Sequence, residues 1–335
     1  MRRLRAILSA VLCCTVLASL PAPASAEVSK FVLADQLTLA FLPAIVMKED
    51  KLLEKHLAQA GLKNVEVQWA TFAGGNTAMD AMLSGNLQVA FTGFMPFAIL
   101  WAKTNGEVRG IAAASAQPEY FNTNNPKLKS IRDLTDKDKI GLPAVKVSTQ
   151  AVFLQMAAAK LYGFKHYDKF DSLTVSMSQP DATAAVLSGM SEVDVAYVSQ
   201  PYTFQLLKNP KIHTVFNTFD VLGGPSTLTL AWTTKKFRDE NPKTYKAFLG
   251  AYDEAMAIIK NDKRKAAELY IQRSKSKIPL EDIVKIISDP NVIYTETPQN
   301  TMKVVDFMHK IGRIPKLPAS WKDMWFPNVH NLAGS

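Results

Sequence analysis

Cysteine is almost absent, and where it occurs it does no structural work. The chain has Cys13 and Cys14 and no other. Both sit inside a leader-like segment: MRRLR is a basic n-region, AILSAVLCCTVLASL an apolar h-region, and PAPASA ends at Ala24-Ser25-Ala26. This arrangement predicts a secretory signal over residues 1–26, cleaved after Ala26. Its apolar run is too short for a stable membrane anchor. Neither cysteine follows the small residue that a lipoprotein cleavage site requires, so the expected product is unlipidated. From Glu27 onward no cysteine remains, which excludes disulfides, thiolate metal sites and cysteine nucleophiles.

Other absences narrow the function further. No later apolar run is long enough to span a bilayer, so the expected protein does not cross the membrane. The five histidines, His56, His166, His213, His309 and His330, are scattered without ligand spacing. There is no His-Glu-x-x-His, no Gly-x-Ser-x-Gly and no Walker loop. No metal, cofactor or catalytic residue is therefore expected, and the chain reads as a non-enzyme. Net charge falls from +9 to +6 once Arg2, Arg3 and Arg5 leave with the leader. The remaining basic residues alternate with acids, as in NDKRKAAEL, which describes a solvated helix face and not a nucleic-acid-binding stripe.

What is present is an ordinary globular composition, 47% apolar, with enough length for two lobes. Strand character recurs at SKFVLAD, VEVQWATF, LQVAFTG, VRGIAAAS, KIGLPA, SLTVSM, VDVAYVS and STLTLAWT, with helical periodicity between them. The alternation predicts an α/β fold with mostly parallel sheets. AMLSGNLQVAF (81–91) is echoed by AVLSGMSEVDVAY (185–197), a helix ending in Leu-Ser-Gly followed by an apolar strand. Gly85 and Gly189 occupy the positions where a helix C-terminus takes a left-handed residue. The echo suits two similar lobes facing each other.

Three helix starts stand out. Thr77-x-x-Asp80 reads as a loose capping box behind Gly74 and Gly75. A second helix opens at Ser148-Thr149-Gln150, and a third follows Ser178-Gln179-Pro180-Asp181 with Asp181 as the expected N-cap. Helix N-termini carry partial positive charge and unsatisfied amides, which suit an anion. Gathered at the carboxyl edges of the strands, they would surround one crevice.

TFAGGNTAMDAMLSGNLQVAFTGFMP, KSIRDLTDKDKIGLPAVKVSTQAVFLQMAA, QPDATAAVLSGMSEVDVAYVSQP and GGPSTLTLAWTTKKFRDENPKTYKAFLGAYDEAMAII occur here in one order across most of residues 30–270. In that order and spacing the chain resembles exported solute-binding proteins of the nitrate/sulfonate/taurine type. These feed ABC importers, and the family includes binders of thiamine-pyrimidine precursors. The resemblance implies a two-lobe periplasmic-binding-protein type II clamshell, with lobe 1 from 27–114 plus 225–335 and lobe 2 from 115–224. It implies a periplasmic monomer that takes a small-molecule anionic ligand and delivers it to an ABC permease and its ATPase. A sensory protein serving a membrane receptor would use the same site. The pyrimidine-synthesising relatives in yeast need a cysteine-rich motif that the processed chain lacks.

The ligand-binding positions the resemblance implies are Gly74, Gly75, Asn76 and Thr77 in the first loop, and Thr92, Gly93 and Phe94 after the next strand. Ser148, Thr149 and Gln150 follow at the second-lobe helix, then Ser199, Gln200, Pro201 and Tyr202, with Gln36 and Leu37 after the first strand. Two departures from the family pattern bear on the ligand. The usual Lys-Gly-Ser run reads Lys146-Val147-Ser148, and PEYFNTNNPKLKS replaces an apolar strand after the first crossing. Lys146 is the one cation near these loops, so an anion would rest on helix ends, hydroxyls and amides. Phe94, Met95, Tyr197, Tyr202 and Phe41 are either apolar walls for an organic anion or core. Near the C-terminus, Trp321, Met324, Trp325 and Phe326 are expected to form a strap on lobe 1.

Overall fold

The computed structural model describes residues 27–72 and 75–335. The expected signal segment and Gly74 lie outside the described residues. In chain order the strands are β1 (Lys30–Asp35), β2 (Glu66–Thr71), β3 (Val89–Gly93), β4 (Val108–Ala116), β5 (Tyr120–Thr123), β6 (Ile140–Leu142), β7 (Thr174–Ser176), β8 (Val195–Val198), β9 (His213–Asn217), β10 (Thr229–Thr234) and β11 (Ile293–Tyr294). They form two sheets, ordered β11-β4-β10-β3-β1-β2 and β7-β6-β8-β5-β9. The chain leaves the first sheet after Ala116, enters the second at Tyr120, and returns between Asn217 and Thr229.

Both sheets are mixed. β1 pairs parallel with β2 and β3, and β6 pairs parallel with β7 and β8. The antiparallel pairings belong to the strands that flank the crossings, β4, β5, β9 and β10, together with the short β11. A strand arriving from the other sheet has no helical crossover to turn it parallel, so it enters the opposite way.

Helices cover both faces of the first sheet. On one face Phe91 meets Phe248 and Tyr252 of the helix Pro242–Asn261, with ring centroids 6.1 and 5.9 Å away. On the other, Phe97 of the helix Phe94–Lys103 packs on Trp232 at 6.3 Å and Trp325 at 5.8 Å. Alternation along β10 puts Ala231 and Trp232 on opposite faces, which is why one strand serves both layers.

The C-terminal segment runs along the edge of β4 beside Gly110, with Trp325 on the second face and Phe326 against Tyr245 of the first-face helix at 5.8 Å. Met324, Trp325 and Phe326 are fully buried. The Phe326 amide donates to Gly110 O at 2.9 Å and Asn328 Nδ2 donates to Ile111 O at 2.9 Å. Trp325 lies flat against Gly110, where a Cβ would stand 2.5 Å from the indole ring.

Three local expectations are corrected. The first loop's helix begins at Gly75 and runs to Leu83, so Thr77 is inside its first turn and not a cap. Ser178, not Asp181, caps the helix Gln179–Ser188: its hydroxyl accepts from the Asp181 amide at 3.3 Å. The polar segment after the first crossing does not lack a strand, for it supplies β5, paired with β8 and β9. Its fully buried Asn122 is satisfied, donating from Nδ2 to Tyr120 O at 3.2 Å and accepting from Thr214 Oγ1 at 2.7 Å. A hydrogen-bonded amide can occupy a core position that composition alone would deny it. Gly85 and Gly189 adopt left-handed φ of +78° and +63°, as the Leu-Ser-Gly echo requires.

Gly110→Val should destabilise the fold by roughly 1–3 kcal/mol, because its side chain must push Trp325 off the sheet. Urea unfolding of the two proteins checks this. Equal midpoints would show that the strap repacks freely.

Candidate functional site

Between the two sheets lies a cavity of about 310 Å³. The segments following β1, β2 and β3 line it from one side, and those following β6, β7 and β8 from the other. These are the carboxyl ends of parallel strands, where open α/β sheets leave room for ligands. Glu119, from the first crossing, and Leu228 and Thr229, at the start of β10, complete the lining. A wider groove of about 690 Å³ shares Leu37, Pro180 and Tyr202 with the cavity and carries Lys208 and Lys277.

The first-sheet side is held rigidly. Asp35, fully buried at the end of β1, accepts from Thr71 Oγ1 at 2.8 Å and pairs with Arg273 at 3.2 Å and Lys48 at 3.6 Å. That network fixes the turn from which Gln36 and Leu37 reach the cavity. Thr38 beside them is buried with no hydrogen-bond partner for its hydroxyl.

On the opposite side the helix Thr149–Tyr162 opens at the cavity wall. Ser148 is its N-cap, accepting from the Ala151 amide at 3.3 Å. Thr149 and Gln150, its first two residues, are buried against the cavity, and their amides have no carbonyl one helical turn earlier. Ser199 is committed internally, its amide and hydroxyl donating to Gln179 Oε1 at 2.8 and 3.0 Å. The two sides meet closely. A Cβ on Gly93 would stand 3.0 Å from Thr149 Oγ1, and the Leu39 amide donates to Gln200 O at 3.3 Å.

Glu119 is the electrostatic exception. It is 2% exposed, and its Oε1 accepts from Gln150 Nε2 at 2.6 Å. Its Oε2 has no hydrogen-bond partner. No lysine, arginine or histidine among the described residues lines the cavity. Burial pushes the Glu119 carboxyl up to about 8, an effect that the hydrogen bond from Gln150 only partly offsets.

Of the residues singled out in the sequence, Gln36, Leu37, Gly93, Ser148, Thr149, Gln150, Ser199 and Tyr202 converge on the cavity. Gly75 and Asn76 form the start of their helix, while Thr77 is exposed and outside the lining. Three others are engaged elsewhere and are corrected here. Thr92 Oγ1 accepts from Trp232 Nε1 at 2.8 Å within the core. Phe94 is buried against Phe97 at 5.9 Å. Gln200 faces its own helix, its Oε1 accepting from the Phe204 amide at 3.2 Å. Among the proposed apolar walls, Phe41 and Tyr202 reach the cavity, whereas Met95 and Tyr197 are core and outside its lining. Lys146 is exposed and also lies outside it. Glu119, Thr38 and Pro180 were not singled out for the ligand. An acid immediately before a strand, at the first crossing between the sheets, was the available signal for Glu119.

The raised carboxyl has a signed consequence for stability. Between its ordinary value of 4.5 and about 8 the folded protein holds a proton that the unfolded chain has lost. Stability therefore falls as pH rises through that window. Relative to Glu119→Gln, the protein should lose up to about 1.4 kcal/mol per pH unit across it. Denaturant unfolding of both proteins near the two ends of the window measures this. A constant difference would show that Glu119 ionises in its ordinary range.

Comparison with known proteins places this geometry. The alkanesulfonate-binding protein of Xanthomonas axonopodis pv. citri, solved with MOPS bound, superposes with a TM-score of 0.68 at 17% identity, covering 87% of this chain and 96% of that one. The aliphatic sulphonate-binding protein of Escherichia coli gives 0.67 at 16% identity, covering 90% and 98%. The nitrate-binding protein of Synechocystis PCC 6803 gives 0.67 at 17% identity, covering 89% and 84%. At such identities the likeness establishes the two-sheet binding-protein fold. No curated protein sequence matches the chain. The NMT1-like family model matches residues 34–272, from the end of β1 into the helix Lys263–Ser274, and the chain belongs to that family.

Proposed function

We propose that this protein is the solute-binding component of an ABC importer. It works in the periplasm after cleavage behind Ala26, takes up a small organic anion between its sheets, and passes it unchanged to a permease and its ATPase. The observation that carries this reading is the buried helix start at Ser148-Thr149-Gln150, opening on a cavity lined from both sheets. Helix amides and hydroxyls can hold a sulfonate or carboxylate without a paired cation.

Two further features support an organic anion over bare nitrate. Phe41, Phe72, Val147 and Tyr202 give the cavity apolar walls, and its volume suits a small molecule with a hydrocarbon part. Lys277 in the outer groove supplies positive charge along the approach. The structural neighbours named for sulfonate and nitrate binding are in keeping with this chemistry. Gln36, Leu37, Gly93, Ser148, Thr149, Gln150, Ser199 and Tyr202 are the proposed ligand contacts.

A melting-shift screen of purified, ligand-free protein against alkanesulfonates, short carboxylates, pyrimidines and nitrate tests the reading. An acid present at about a hundred times its dissociation constant should stabilise the fold by roughly 2.7 kcal/mol. Thr149→Leu removes a hydroxyl and crowds Gly93, and should abolish that shift. Silence from every acid in the panel would overturn the proposal.

A further inference from the structure

Two aromatic side chains on the second-sheet side stand where burial alone would not leave them. Phe164, just past the helix Thr149–Tyr162, is 42% exposed, and Tyr167 lies beside it at 6.3 Å. Both rings make T-shaped contacts with Phe307, at 5.7 and 6.4 Å. Phe307 belongs to the helix Thr301–Lys310, whose base is fixed elsewhere. Two residues before β10, the Thr227 amide donates to Gln299 O at 2.9 Å and the Gln299 amide donates to Thr227 Oγ1 at 2.8 Å. Asn300 Nδ2 donates to Pro225 O at 2.6 Å. The helix therefore rises from the first sheet, beside the second crossing, and its far end reaches the second.

Beyond that helix the chain makes another contact across the same divide. Arg313 Nη1 donates to Lys146 O. Lys146 is exposed and left-handed, with a φ of +67°, a conformation that glycine takes freely and lysine does not. It stands two residues before Ser148, the cap of the helix that opens on the cavity. Asp171 supplies opposite charge at this point: Gln155 of that helix donates to both of its carboxylate oxygens at 2.9 Å. Burial raises the Asp171 carboxyl, and the hydrogen bonds from Gln155 with the charges of Lys146 and Arg313 oppose the rise. Phe164, Phe307, Lys146 and Arg313 all lie outside the cavity lining, so these contacts need no solute to form.

We propose that the helix Thr301–Lys310 and the turn at Arg313 act as a clasp, anchored on the first sheet, that holds the two sheets together from outside the cavity and sets the helix start at Thr149 through Lys146. Arg313 is a positioning residue, acting on Ser148 and Thr149 by fixing the turn before them. Opening the cleft then has to break an aromatic contact and a charged hydrogen bond. The inference goes beyond solute capture, for it makes the closed arrangement a property of the chain itself.

Small-angle X-ray scattering of the purified protein, with no solute added, reads the hold between the sheets, and hydrogen exchange reads the turn. Phe164→Ala and Arg313→Ala change side chains that reach solvent, and each should increase the radius of gyration while the urea midpoint moves little. In Arg313→Ala the amides of residues 144–151 should exchange about tenfold faster. Arg313→Lys keeps the charge and a donor for a single carbonyl, and should return both readings most of the way. An unchanged radius in either alanine variant would overturn the clasp, as would a larger radius matched by a loss of global stability. Unchanged exchange at 144–151, or Arg313→Lys behaving like Arg313→Ala, would overturn it too. With no solute present, none of these outcomes bears on the ligand screen.

Discussion

The structure depends on one strand, β10, entering antiparallel between β3 and β4. Its main chain joins segments that the intervening second sheet has separated. Its side chains lock the insertion: Trp232 Nε1 reaches Thr92 Oγ1 at 2.8 Å, Thr233 Oγ1 donates to Gln88 O, and Thr229 Oγ1 donates to Ala40 O at 2.8 Å. Ser115 and Thr229 share a further hydrogen bond of 2.7 Å between hydroxyls, on buried strands beside the first crossing. Both polypeptide connections between the sheets thus emerge from one fully paired patch. The cavity sits directly against it, through Leu228, Thr229 and Glu119.

The cleft is polarised without containing a formal cation. Helix amides at Thr149 and Gln150 give one region a partial positive character, while burial keeps the neighbouring Glu119 carboxyl uncharged up to about 8. Gln150 bridges them with one side chain. Full charges on the approach are kept outside, at Lys208 and Lys277, and Lys208 is itself tied across the cleft to Asp282 at 2.8 Å. Surface pairs of this kind contribute little in themselves and weaken with salt, so the ends of the groove are held lightly compared with its floor.

Legibility of the sequence followed how locally each feature is determined. Strands such as KFVLAD and TLAWTT declare themselves because their apolar runs reflect burial within a sheet. YFNT and HTVFN do not, because Asn122, Thr123 and Thr214 satisfy one another and nearby carbonyls only once the strands are paired. Ser148 is readable as a cap from its own neighbourhood, whereas choosing Ser178 over Asp181 requires knowing where the backbone turns. Resemblance located the loops around the cavity, yet not which side chains face inward. Thr92 and Phe94 flank Gly93 but belong to the core, since only one of three adjacent residues at a strand end can meet the opposite lobe. The Glu119 carboxyl is a product of the crossing geometry, and no local pattern announces that an acid will be dehydrated there.

The contact between Gly110 and Trp325 carries a consequence for the order in which the molecule can come together. Every strand of the second sheet is present once synthesis has passed Asn217, so that sheet can pair while the rest of the chain is still being made. The first sheet cannot: it waits for β10, and its outer face waits longer still, for the indole that fills the slot over Gly110. A chain that stops short of Trp325 therefore has every strand of the second sheet, while the slot over Gly110 in the first stands uncovered. The half of the protein that begins first is the half that is completed last.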